Sequence, residues 1–345
     1  MAFLFLSQDD LLRAGCFDVL EACAVVEQAL LHYQNGDILY PDKIVQIFNH
    51  ASQDRINCLP ATLLKEKICG MKWISVFPNN PVRFGIQTIS AVILLSNTDN
   101  GYPVALLDAT LCSNMRTAAV STVAARYLAP ERVETVGLIG AGEQAKMHCI
   151  FLKKCFPGIR CVRVSSKNDA SVSKFMQEMR MVLPDLTLEP CGNDYEKAVT
   201  GSDILITATS TQSQMLQPEW IGRGTLYLHI GGLEDADGVA LKADKIVCDN
   251  WAHAKHRTQT ISRLYKAGKL TDGDIYGDLP DIVFGRLPGR ERADEFIYFN
   301  TVGLSYVDIA LGYAFYQKAA NAGYGKSGLI EPPGTSYPDI KEFIK

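Results

Sequence analysis

A glycine-rich motif between an apolar run and a helical segment constrains the fold of this chain more than any other feature. The run Val136–Ile139 has the length of a strand, and Gly140-Ala-Gly142-Glu-Gln-Ala145 follows it directly. In such a G-x-G-x-x-A pattern the first glycine allows a tight turn, the second lets the backbone approach a pyrophosphate, and the alanine permits close helix packing. The N–H groups of the helix that begins near Gly142 would then face the phosphates. The predicted dinucleotide contacts are Gly140, Ala141, Gly142, Glu143 and Gln144.

The chain around this motif alternates between helices and short apolar runs. Ser113 is expected to cap a helix that ends before Pro130. Strands are predicted at residues 133–139, 161–165, 186–188, 203–208, 225–230, 245–248 and 296–299. Because strands that alternate with helices are typical of βαβ units, this region is predicted to be α/β with a parallel, Rossmann-like sheet.

The residues before Ser113 are predicted to form a lobe of a different class. An amphipathic helix is expected from about Phe17 to Gln34. The apolar runs 90–96 and 104–108 are separated by a turn sequence and predict a β-hairpin. This part is therefore predicted to be α+β, and an apolar helix expected at 304–322 could return to it.

Composition restricts the partners of the chain. Its 345 residues include 34 Lys plus Arg against 38 Asp plus Glu, a net charge of −4 that argues against a nucleic-acid-binding protein. No stretch approaches the roughly 18 uncharged apolar residues that span a bilayer. The ten cysteines are scattered without a C-x-x-C pair, which favours reduced thiols over a metal cluster or a disulfide framework. We therefore expect a cytoplasmic protein that holds no metal and binds small molecules, with no membrane or nucleic-acid partner.

The strand after the fingerprint bears on the choice of nucleotide. An NAD site usually carries Asp or Glu about 20 residues past the fingerprint, where it holds the ribose hydroxyls. Here the strand ends in Ser165-Ser166-Lys167. Ser165 and Ser166 can donate hydrogen bonds and Lys167 supplies positive charge, so NADP(H) is favoured over NAD(H). The alternative is that Lys167 is an ordinary solvated loop residue.

Four further segments are more specific than the fingerprint. They are Gly70-Met-Lys72-Trp, Tyr102-Pro-Val-Ala-Leu-Leu-Asp-Ala109, Asn114-Met-Arg116-Thr-Ala-Ala119 and Thr301-Val-Gly303. Together, and in consistent order over nearly the whole chain, they resemble the ornithine cyclodeaminase/mu-crystallin family. The resemblance implies a homodimer with a substrate-binding and dimerisation domain of residues 1–115 and 304–345, into which a Rossmann-like domain of residues 116–303 is inserted. Within the family, Lys242–Trp251 and Pro288–Glu291 are most similar to an amino-acid dehydrogenase branch of diaminopropionate biosynthesis.

Redox chemistry at an amino-acid Cα needs a carboxylate anchor, a hydride acceptor and a group that moves the proton on nitrogen. Arg116 is the predicted anchor, since a guanidinium binds carboxylate bidentately, and a salt bridge is its alternative role. By resemblance Lys72 is the active-site lysine, and a partly desolvated lysine can exchange protons with an imine or amine. Lys43 falls where the family keeps a basic carboxylate contact. For both lysines the alternative is a snorkelling surface residue. Arg116 and Thr117 are also expected to contact the cofactor.

The acid/base carboxylate is predicted in an acidic loop after the strand at 225–230. Cyclodeaminases of the family carry Gly-Asp-x-Pro-Gly-Lys there, and their aspartate does proton work at the substrate. This chain has Gly231-Gly-Leu-Glu234-Asp235 and lacks the Pro-Gly-Lys. Glu234 and Asp235 both stay candidates, against a solvated turn, and the departure argues against ornithine cyclisation.

Two further segments are predicted to line the cofactor cleft. Thr209 and Ser210 follow a strand C-terminus, where Rossmann-like sheets bind ligands, although a plain polar loop is the alternative. Val302 and Gly303 precede the last helix and are expected to close over the nicotinamide. The segment 253–257, with two histidines, a lysine and an arginine, is interpreted as a solvated helix face.

These features predict an NAD(P)-dependent oxidoreductase that acts on the C–N bond of a small amino acid, secondary amine or cyclic imine. One alternative is an ornithine- or lysine-type cyclodeaminase that releases ammonia. Another is a non-catalytic NADPH-dependent binding protein of the mu-crystallin type. The retained basic pair Lys72 and Arg116 favours an enzyme, since a pure binding protein need not keep it.

Overall fold

The structure is a computed structural model that describes residues 3–209, 211 and 213–329. Its strands are β1 (Phe3–Leu6), β2 (Ile38–Leu39), β3 (Ile44–Asn49), β4 (Asp54–Leu63), β5 (Ile68–Val76), β6 (Ile89–Asn97), β7 (Pro103–Asp108), β8 (Thr135–Ile139), β9 (Cys161–Ser165), β10 (Thr187–Pro190), β11 (Ile204–Thr207), β12 (Leu226–His229), β13 (Lys245–Cys248), β14 (Gly277–Asp278), β15 (Ile297–Asn300) and β16 (Lys326–Gly328). Its α-helices are α1 (Gln8–Arg13), α2 (Val19–Gln34), α3 (Asn80–Phe84), α4 (Thr110–Leu128), α5 (Glu143–Cys155), α6 (Asp169–Val182), α7 (Tyr195–Val199), α8 (Asp237–Leu241), α9 (Trp251–Ala254), α10 (Thr260–Lys266), α11 (Leu279–Val283) and α12 (Ser305–Asn321).

The first sheet takes strands from both ends of the described chain. Its order is β16-β1-β7-β6-β5-β4-β2, with β3 also paired to β4. The pair β1 and β7 is parallel, whereas the strands from β3 to β7 pair antiparallel. The predicted hairpin is confirmed as β6 and β7. The predicted α+β character of this part is therefore confirmed as well.

The second sheet has the order β10-β9-β8-β11-β12-β15-β13-β14, and all of its neighbouring strands are parallel. From β10 to β12 this is the strand order of a doubly wound, Rossmann-like sheet. The late strand β15 inserts between β12 and β13, so the chain just before α12 leaves this sheet from an interior strand. The predicted α/β class is confirmed.

The helix that leads into the second sheet starts earlier than predicted. The expectation that Ser113 caps it is wrong, because α4 begins at Thr110 and Ser113 lies buried inside it. The carboxylate of Asp108, at the end of β7, already accepts the N–H of Leu111 at 3.3 Å. This contact supplies the acceptor that a capping serine would otherwise provide.

The last helix returns to the first sheet, as expected, and two glycines set its distance from it. A Cβ on Gly70 of β5 would lie 2.9 Å from Ile309 of α12, and one on Gly312 would lie 2.8 Å from Ile93 of β6. Because such contacts are too close for a side chain, glycine at both positions lets α12 pack directly on the sheet. This close approach brings the first turn of α12 to the buried face of β5.

The division between the two predicted domains stays a prediction. Its first boundary, between residues 115 and 116, lies inside α4, and residues 330–345 lie outside the described part. α4 packs against α2 on one side and α5 on the other, so it joins the two sheets. Among the described residues, none of the helices has the length and apolar character needed to cross a membrane.

Candidate active site

Residues from three distant parts of the chain meet on one buried carboxylate. Lys72 of β5 places Nζ 2.6 Å from Oδ1 of Asp308 in α12, and Arg116 of α4 donates from Nε to the same oxygen at 2.8 Å. The side chains of Lys72 and Asp308 are fully buried. The second oxygen of Asp308, Oδ2, is buried without a hydrogen-bond partner in the described part. The structure thus brings together Lys72 and Arg116, the two basic residues predicted from the sequence. They meet on Asp308, which the sequence analysis did not identify.

Burial changes the proton affinity of Lys72. Desolvation lowers its pKa to about 8, against the opposing effect of the Asp308 carboxylate and with a further lowering by Arg116. A lysine with a pKa near 8 exists in both protonation states close to neutral pH, which suits proton exchange with an amine or imine. The snorkelling alternative for Lys72 is wrong, because its amino group is buried.

The outer part of the Arg116 guanidinium faces the chain that precedes α12. A Cβ on Gly303 would lie 2.9 Å from Nη1 and 3.0 Å from Nη2 of Arg116, and Gly303 has a positive φ of 85°. Glycine is therefore required both for the turn and for the approach to the guanidinium. Nη1 and Nη2 donate to no described residue, so they stay available for a carboxylate.

A buried aspartate fixes the loop at 301–303. The Oδ2 atom of Asp249, directly after β13, accepts hydrogen bonds from Thr301 Oγ1 at 2.7 Å, Val302 N at 2.8 Å and Gly303 N at 2.9 Å. Its Oδ1 accepts from the Asn250 N–H at 2.9 Å. Val302 and Gly303 are thus held beside Arg116, consistent with the expected position at the nicotinamide, although their contact with a cofactor stays a prediction.

Lys43 reaches the same loop from the first lobe. Its Nζ donates to the Val302 carbonyl at 3.2 Å. Burial, with Arg257 and Arg116 nearby, lowers the pKa of Lys43 to about 7. Lys43 is half-buried, and its amino group lies at the same loop as Lys72 and Arg116.

An aromatic group encloses this region. The ring of Tyr40 stacks on His253, with centroids 4.5 Å apart, and packs edge-on against Tyr306 at 5.1 Å. His253 also pairs with Asp42 through Nδ1 at 3.0 Å. The interpretation of residues 253–257 as a solvated helix face is wrong for His253, which packs against the first lobe, whereas His256 is exposed as expected.

The fingerprint has the geometry that a pyrophosphate needs. Gly140 has a φ of 115°, and a Cβ there would lie 2.5 Å from the Ala208 carbonyl oxygen. By contrast, a Cβ on Gly142 would have no atom within 4 Å, so the backbone borders open space. Gly142 is the N-cap of α5 and provides no side-chain acceptor for the first N–H groups. These unpaired donors and the open space beside them fit a nucleotide pyrophosphate.

Other predicted cofactor contacts surround the fingerprint. Gln144 donates from Nε2 to Asn114 Oδ1 of α4 at 3.0 Å, and the Thr117 hydroxyl donates to the Ser113 carbonyl at 2.8 Å. The Glu143 side chain is exposed and pairs with Lys146. Ala141 is buried at the turn. These positions are compatible with the predicted roles, which stay predictions.

The end of β9 has no carboxylate, as the sequence indicated. The Ser165 hydroxyl is buried and donates to the Leu138 carbonyl at 3.3 Å, so the fold already uses its proton. Ser166 is half-buried, and Lys167 is exposed without an ion-pair partner in the described part. Ser166 and Lys167 are therefore the polar side chains here that can contact a ribose substituent.

Glu234 belongs to a second group of buried charges. Its Oε1 accepts hydrogen bonds from the N–H and hydroxyl of Thr209, both at 3.1 Å, and its Oε2 lies 3.3 Å from His229 Nε2. A Cβ on Gly231 would overlap this carboxylate, so glycine makes room for it. Thr209 in turn lies against Gly140 of the fingerprint, whereas Ser210 lies outside the described residues.

Asp235 completes this second group. It accepts hydrogen bonds from Thr260 Oγ1 at 2.6 Å and Tyr298 OH at 3.0 Å. Although burial lowers it, the carboxylates of Asp235 and Glu234 raise the pKa of His229 to about 9. We call His229, Glu234, Asp235 and Tyr298 the histidine cluster. No contact of Glu234 or Asp235 within the described residues reaches Lys72 or Arg116, and their predicted catalytic role stays a prediction.

Three charged residues of the site were missed in the sequence. Asp308 is the lone carboxylate in the otherwise apolar helix α12, and a charge on such a helix is a usable signal of a buried partner. Asp249 directly follows a fully buried strand, which is a similar signal. Arg257 gave no comparable signal, because its neighbours in the sequence are polar. Among the described residues, no three His, Cys, Asp or Glu side chains are grouped so that they could hold a metal ion.

Comparison with known proteins identifies several relatives over the full length of the fold. The chain is 29% identical over 326 residues to N-((2S)-2-amino-2-carboxyethyl)-L-glutamate dehydrogenase of Staphylococcus aureus, covering 93% of this chain and 97% of that protein. Its fold matches Thermococcus litoralis Δ1-pyrroline-2-carboxylate reductase in complex with NADH and L-proline, with a TM-score of 0.89, 29% identity and coverage of 94% and 99%. It also matches an archaeal alanine dehydrogenase dimer with bound NAD, with a TM-score of 0.87, 27% identity and coverage of 96% and 100%.

These relatives are dehydrogenases and reductases of amino acids and imines, and ornithine cyclodeaminases from two Brucella species also match. The family model described as ornithine cyclodeaminase/mu-crystallin family matches residues 13–323. This match covers the first lobe, the fingerprint and α12 together. The chain therefore belongs to the ornithine cyclodeaminase/mu-crystallin family.

Proposed function

We propose that this protein is an NAD(P)-dependent oxidoreductase that acts on the C–N bond of a small amino acid, secondary amine or cyclic imine. The observation that carries the proposal is the convergence of Lys72 and Arg116 on Asp308 beside the loop at 301–303. A carboxylate anchor and a lysine of lowered pKa are the two groups that such chemistry requires from the protein. The names of the family relatives are consistent with this reaction class.

Each residue of this group has a distinct part. Arg116 holds the substrate carboxylate through Nη1 and Nη2, while Asp308 fixes the guanidinium through Nε. A bound nicotinamide supplies or accepts the hydride at Cα. Lys72 takes the proton from the amine in oxidation and returns it to the imine nitrogen in reduction. Asp308 is a positioning residue, since it orients both cations and tunes the pKa of Lys72.

The pyridine nucleotide is held along the fingerprint. The α5 N–H groups bind the pyrophosphate, with Gly140 and Gly142 permitting its approach. Ser166 and Lys167 hold a 2′-phosphate, so NADP(H) is preferred over NAD(H). Glu234 positions Thr209 behind the fingerprint, and we assign proton transfer to Lys72 in preference to Glu234 or Asp235.

The outer face of the first sheet supports a homodimer. Ile44, Cys58, Trp73 and Val92 are successive cross-strand neighbours on β3, β4, β5 and β6, so they form one row on the face opposite Lys72. Ile44, Trp73 and Val92 are 60%, 39% and 38% exposed. A second copy would cover this apolar row, as part of a substrate-binding and dimerisation domain of residues 1–115 and 304–345. Light scattering should give the dimer mass, and Val92→Glu should give the monomer.

Nicotinamide absorbance with NADH and NADPH tests the reaction class on amino acids, secondary amines and cyclic imines. Lys72→Met should lower kcat by about 10²- to 10⁴-fold, because it removes the proton-transfer group, while cofactor fluorescence still shows binding. Lys67→Met is the matched control. Lys67 is an exposed lysine directly before the same strand, and its side chain pairs with Asp99. Ammonia release without net nicotinamide turnover would instead show a cyclodeaminase. If no substrate gives either nicotinamide turnover or ammonia release, both enzyme hypotheses are refuted and the binding-protein hypothesis is left.

A further inference from the structure

Arg257 is a half-buried cation whose side chain has no hydrogen-bond or ion-pair partner among the described residues. It follows α9, where its N–H donates to the Ala254 carbonyl at 2.9 Å and its own carbonyl accepts from Lys266 Nζ at 2.7 Å. These backbone contacts fix the position of the residue. The Nε atom is buried without an acceptor, and the guanidinium forms no ion pair with any described carboxylate. A buried donor on a charged group is costly unless a ligand completes it.

The environment of Arg257 is the candidate active site. α9 packs on the first lobe through the Tyr40 ring on His253 and through the contact of Asp42 with His253 Nδ1. Lys43 continues this stretch of chain and points to the Val302 carbonyl. Arg257 is the charge that most lowers the pKa of Lys43, ahead of Arg116. Lys43 and Arg257 are thus neighbouring cations at one wall of the site.

The carboxylates of the site are already committed. Asp308 serves Lys72 and Arg116 through Oδ1, whereas both oxygens of Asp249 accept hydrogen bonds from the Thr301 hydroxyl and from backbone N–H groups. Asp42, which also lies near Arg257, is exposed and contacts His253 Nδ1. Among the described residues, neither Lys43 nor Arg257 forms an ion pair. Lys72 and Arg116 therefore share the Asp308 carboxylate, whereas Lys43 and Arg257 share no carboxylate of the described residues.

The nucleotide is a poor source for the missing anion. A pyrophosphate bound at the fingerprint would lie at the end of β8, whereas Arg257 follows the helix after β13. The strands β11, β12 and β15 separate these two, which at about 4.8 Å per step corresponds to roughly 19 Å across the sheet. The ribose end, at β9, lies farther away still.

We infer that the substrate carries a second carboxylate, which Lys43 and Arg257 bind while Arg116 holds the first. This inference rests on the proposed function and specifies its substrate class: an amino acid, imine or secondary amine with at least two carboxylates. It also assigns Lys43 to the second carboxylate of the substrate instead of the first, which the family resemblance had implied. A guanidinium and an ammonium from opposite lobes would both close on such a substrate.

A binding experiment separates this inference from catalysis. Glutarate and pentanoate have the same carbon chain but two and one carboxylates, and each is titrated into the protein with NADPH bound while nicotinamide fluorescence is followed. We expect glutarate to bind on the order of 10- to 100-fold more tightly, as for charge-assisted hydrogen bonds. Arg257→Gln should remove most of this difference, and Arg257→Lys should keep part of it. Arg13→Gln, which changes an exposed arginine paired with Asp9, should leave it unchanged.

Turnover supplies the second arm. With an amine donor and NADPH, 2-oxoglutarate should show a lower KM than 2-oxopentanoate, and Arg257→Gln should raise the KM for 2-oxoglutarate alone. Equal binding of glutarate and pentanoate, or an Arg257→Gln effect that is equal on both acids, would overturn the inference. If glutarate is preferred but no substrate turns over, the second-carboxylate site stands and the proposed reaction fails.

Discussion

This molecule contains two groups of charged residues below its surface, and they differ in how their charges are satisfied. The histidine cluster pairs one imidazolium with two carboxylates, and hydroxyl and backbone donors occupy the remaining oxygens. The active-site group joins four cations to two carboxylates, of which Asp249 is bound by hydroxyl and backbone donors. Its members are Lys43, Lys72, Arg116, Asp249, Arg257 and Asp308. The charges of the histidine cluster are all paired within the protein, whereas the active-site group has more positive than negative charges.

This difference separates structure from function more clearly than burial does. A buried charge whose partners all belong to the fold stabilises one arrangement, and removing a partner leaves an uncompensated ion. A buried cation without a partner lowers stability and gains its counter-charge when an anionic ligand binds. Both groups contain residues of shifted pKa, so a shifted pKa alone would not distinguish them.

Among the carboxylates of the two groups, the largest effect should follow from removing the one that the active-site group uses for pairing. Asp308→Asn should lower kcat by about 100-fold, because Lys72 and Arg116 lose their shared anchor. The pKa of Lys72 should also fall below about 8, since the carboxylate that raises it is gone. In the oxidative direction, kcat should therefore begin to rise at a lower pH than in the wild type.

The pH profile distinguishes this role from a structural one. If Asp308 only supported the fold, the rise of kcat would keep its position and only its height would change. Asp99→Asn is the control, because Asp99 is an exposed aspartate that pairs with Lys67. Asp308→Glu should recover part of the rate, since it keeps the charge at a displaced position.

Removing a carboxylate from the histidine cluster should mainly lower the stability of the protein. Glu234→Gln should reduce the free energy of unfolding by about 3 kcal/mol, because it leaves His229 with one carboxylate in a buried site. Urea unfolding measures this loss. The kcat of the folded enzyme should change by less than about tenfold, as expected if Glu234 positions Thr209. A loss of kcat as large as that of Asp308→Asn, without loss of stability, would restore Glu234 as the acid/base group.

Local sequence patterns predicted the fold well because its elements carry local signals. Strands 161–165 and 245–248 were predicted at both ends, since each is a short apolar run between polar segments. The predicted start of α4 was wrong because Asp108, from the preceding strand, supplies the acceptor that was expected from Ser113. A side chain outside the element decided where the helix begins.

The site was predicted only in part. Lys72 and Arg116 were identified because they lie in motifs that resemble a known family. Asp308 and Arg257 were missed because their roles depend on packing across long stretches of chain: α12 on β5, and α9 on the Tyr40 segment. Counting charges along the sequence cannot show which cations share a carboxylate and which have none.

The pH dependence of stability should have opposite signs in the two groups. In His229 the folded-state pKa of about 9 exceeds the ordinary 6.5, so its stabilisation is complete below pH 6.5 and is lost towards pH 9. This loss amounts to ~3 kcal/mol. In Lys72 the folded-state pKa of about 8 lies below the ordinary 10.5, so stability instead rises as the pH goes from 8 to 10.5.

Urea unfolding between pH 6.5 and 10.5 measures how stability depends on pH. Two variants show which residue causes each part of this dependence. Compared with the wild type, His229→Gln should remove a falling contribution between pH 6.5 and 9, and Lys72→Met should remove a rising contribution above pH 8. The rising contribution of Lys43, whose pKa is about 7, should stay in both variants. Within the histidine cluster, Tyr298 and Glu234 titrate outside the first window, since the pKa of Tyr298 lies well above 10 and that of Glu234 is lowered. If both variants removed a slope of the same sign, the contrast between the groups would be wrong.

The smallest effect should come from an exposed charge, where water screens the interaction. Lys167 at the end of β9 is exposed, so its contact with a 2′-phosphate should contribute only about 1 kcal/mol. Lys167→Glu should weaken NADPH binding roughly five- to tenfold through lost attraction and added repulsion, and change NADH binding little. Cofactor fluorescence at low and high salt measures both affinities. Because exposed charges are screened and buried ones are not, salt should reduce the Lys167→Glu effect and leave the effect of Asp308→Asn on kcat in place. Tighter binding of NADH than NADPH by the unaltered protein would refute the nucleotide preference.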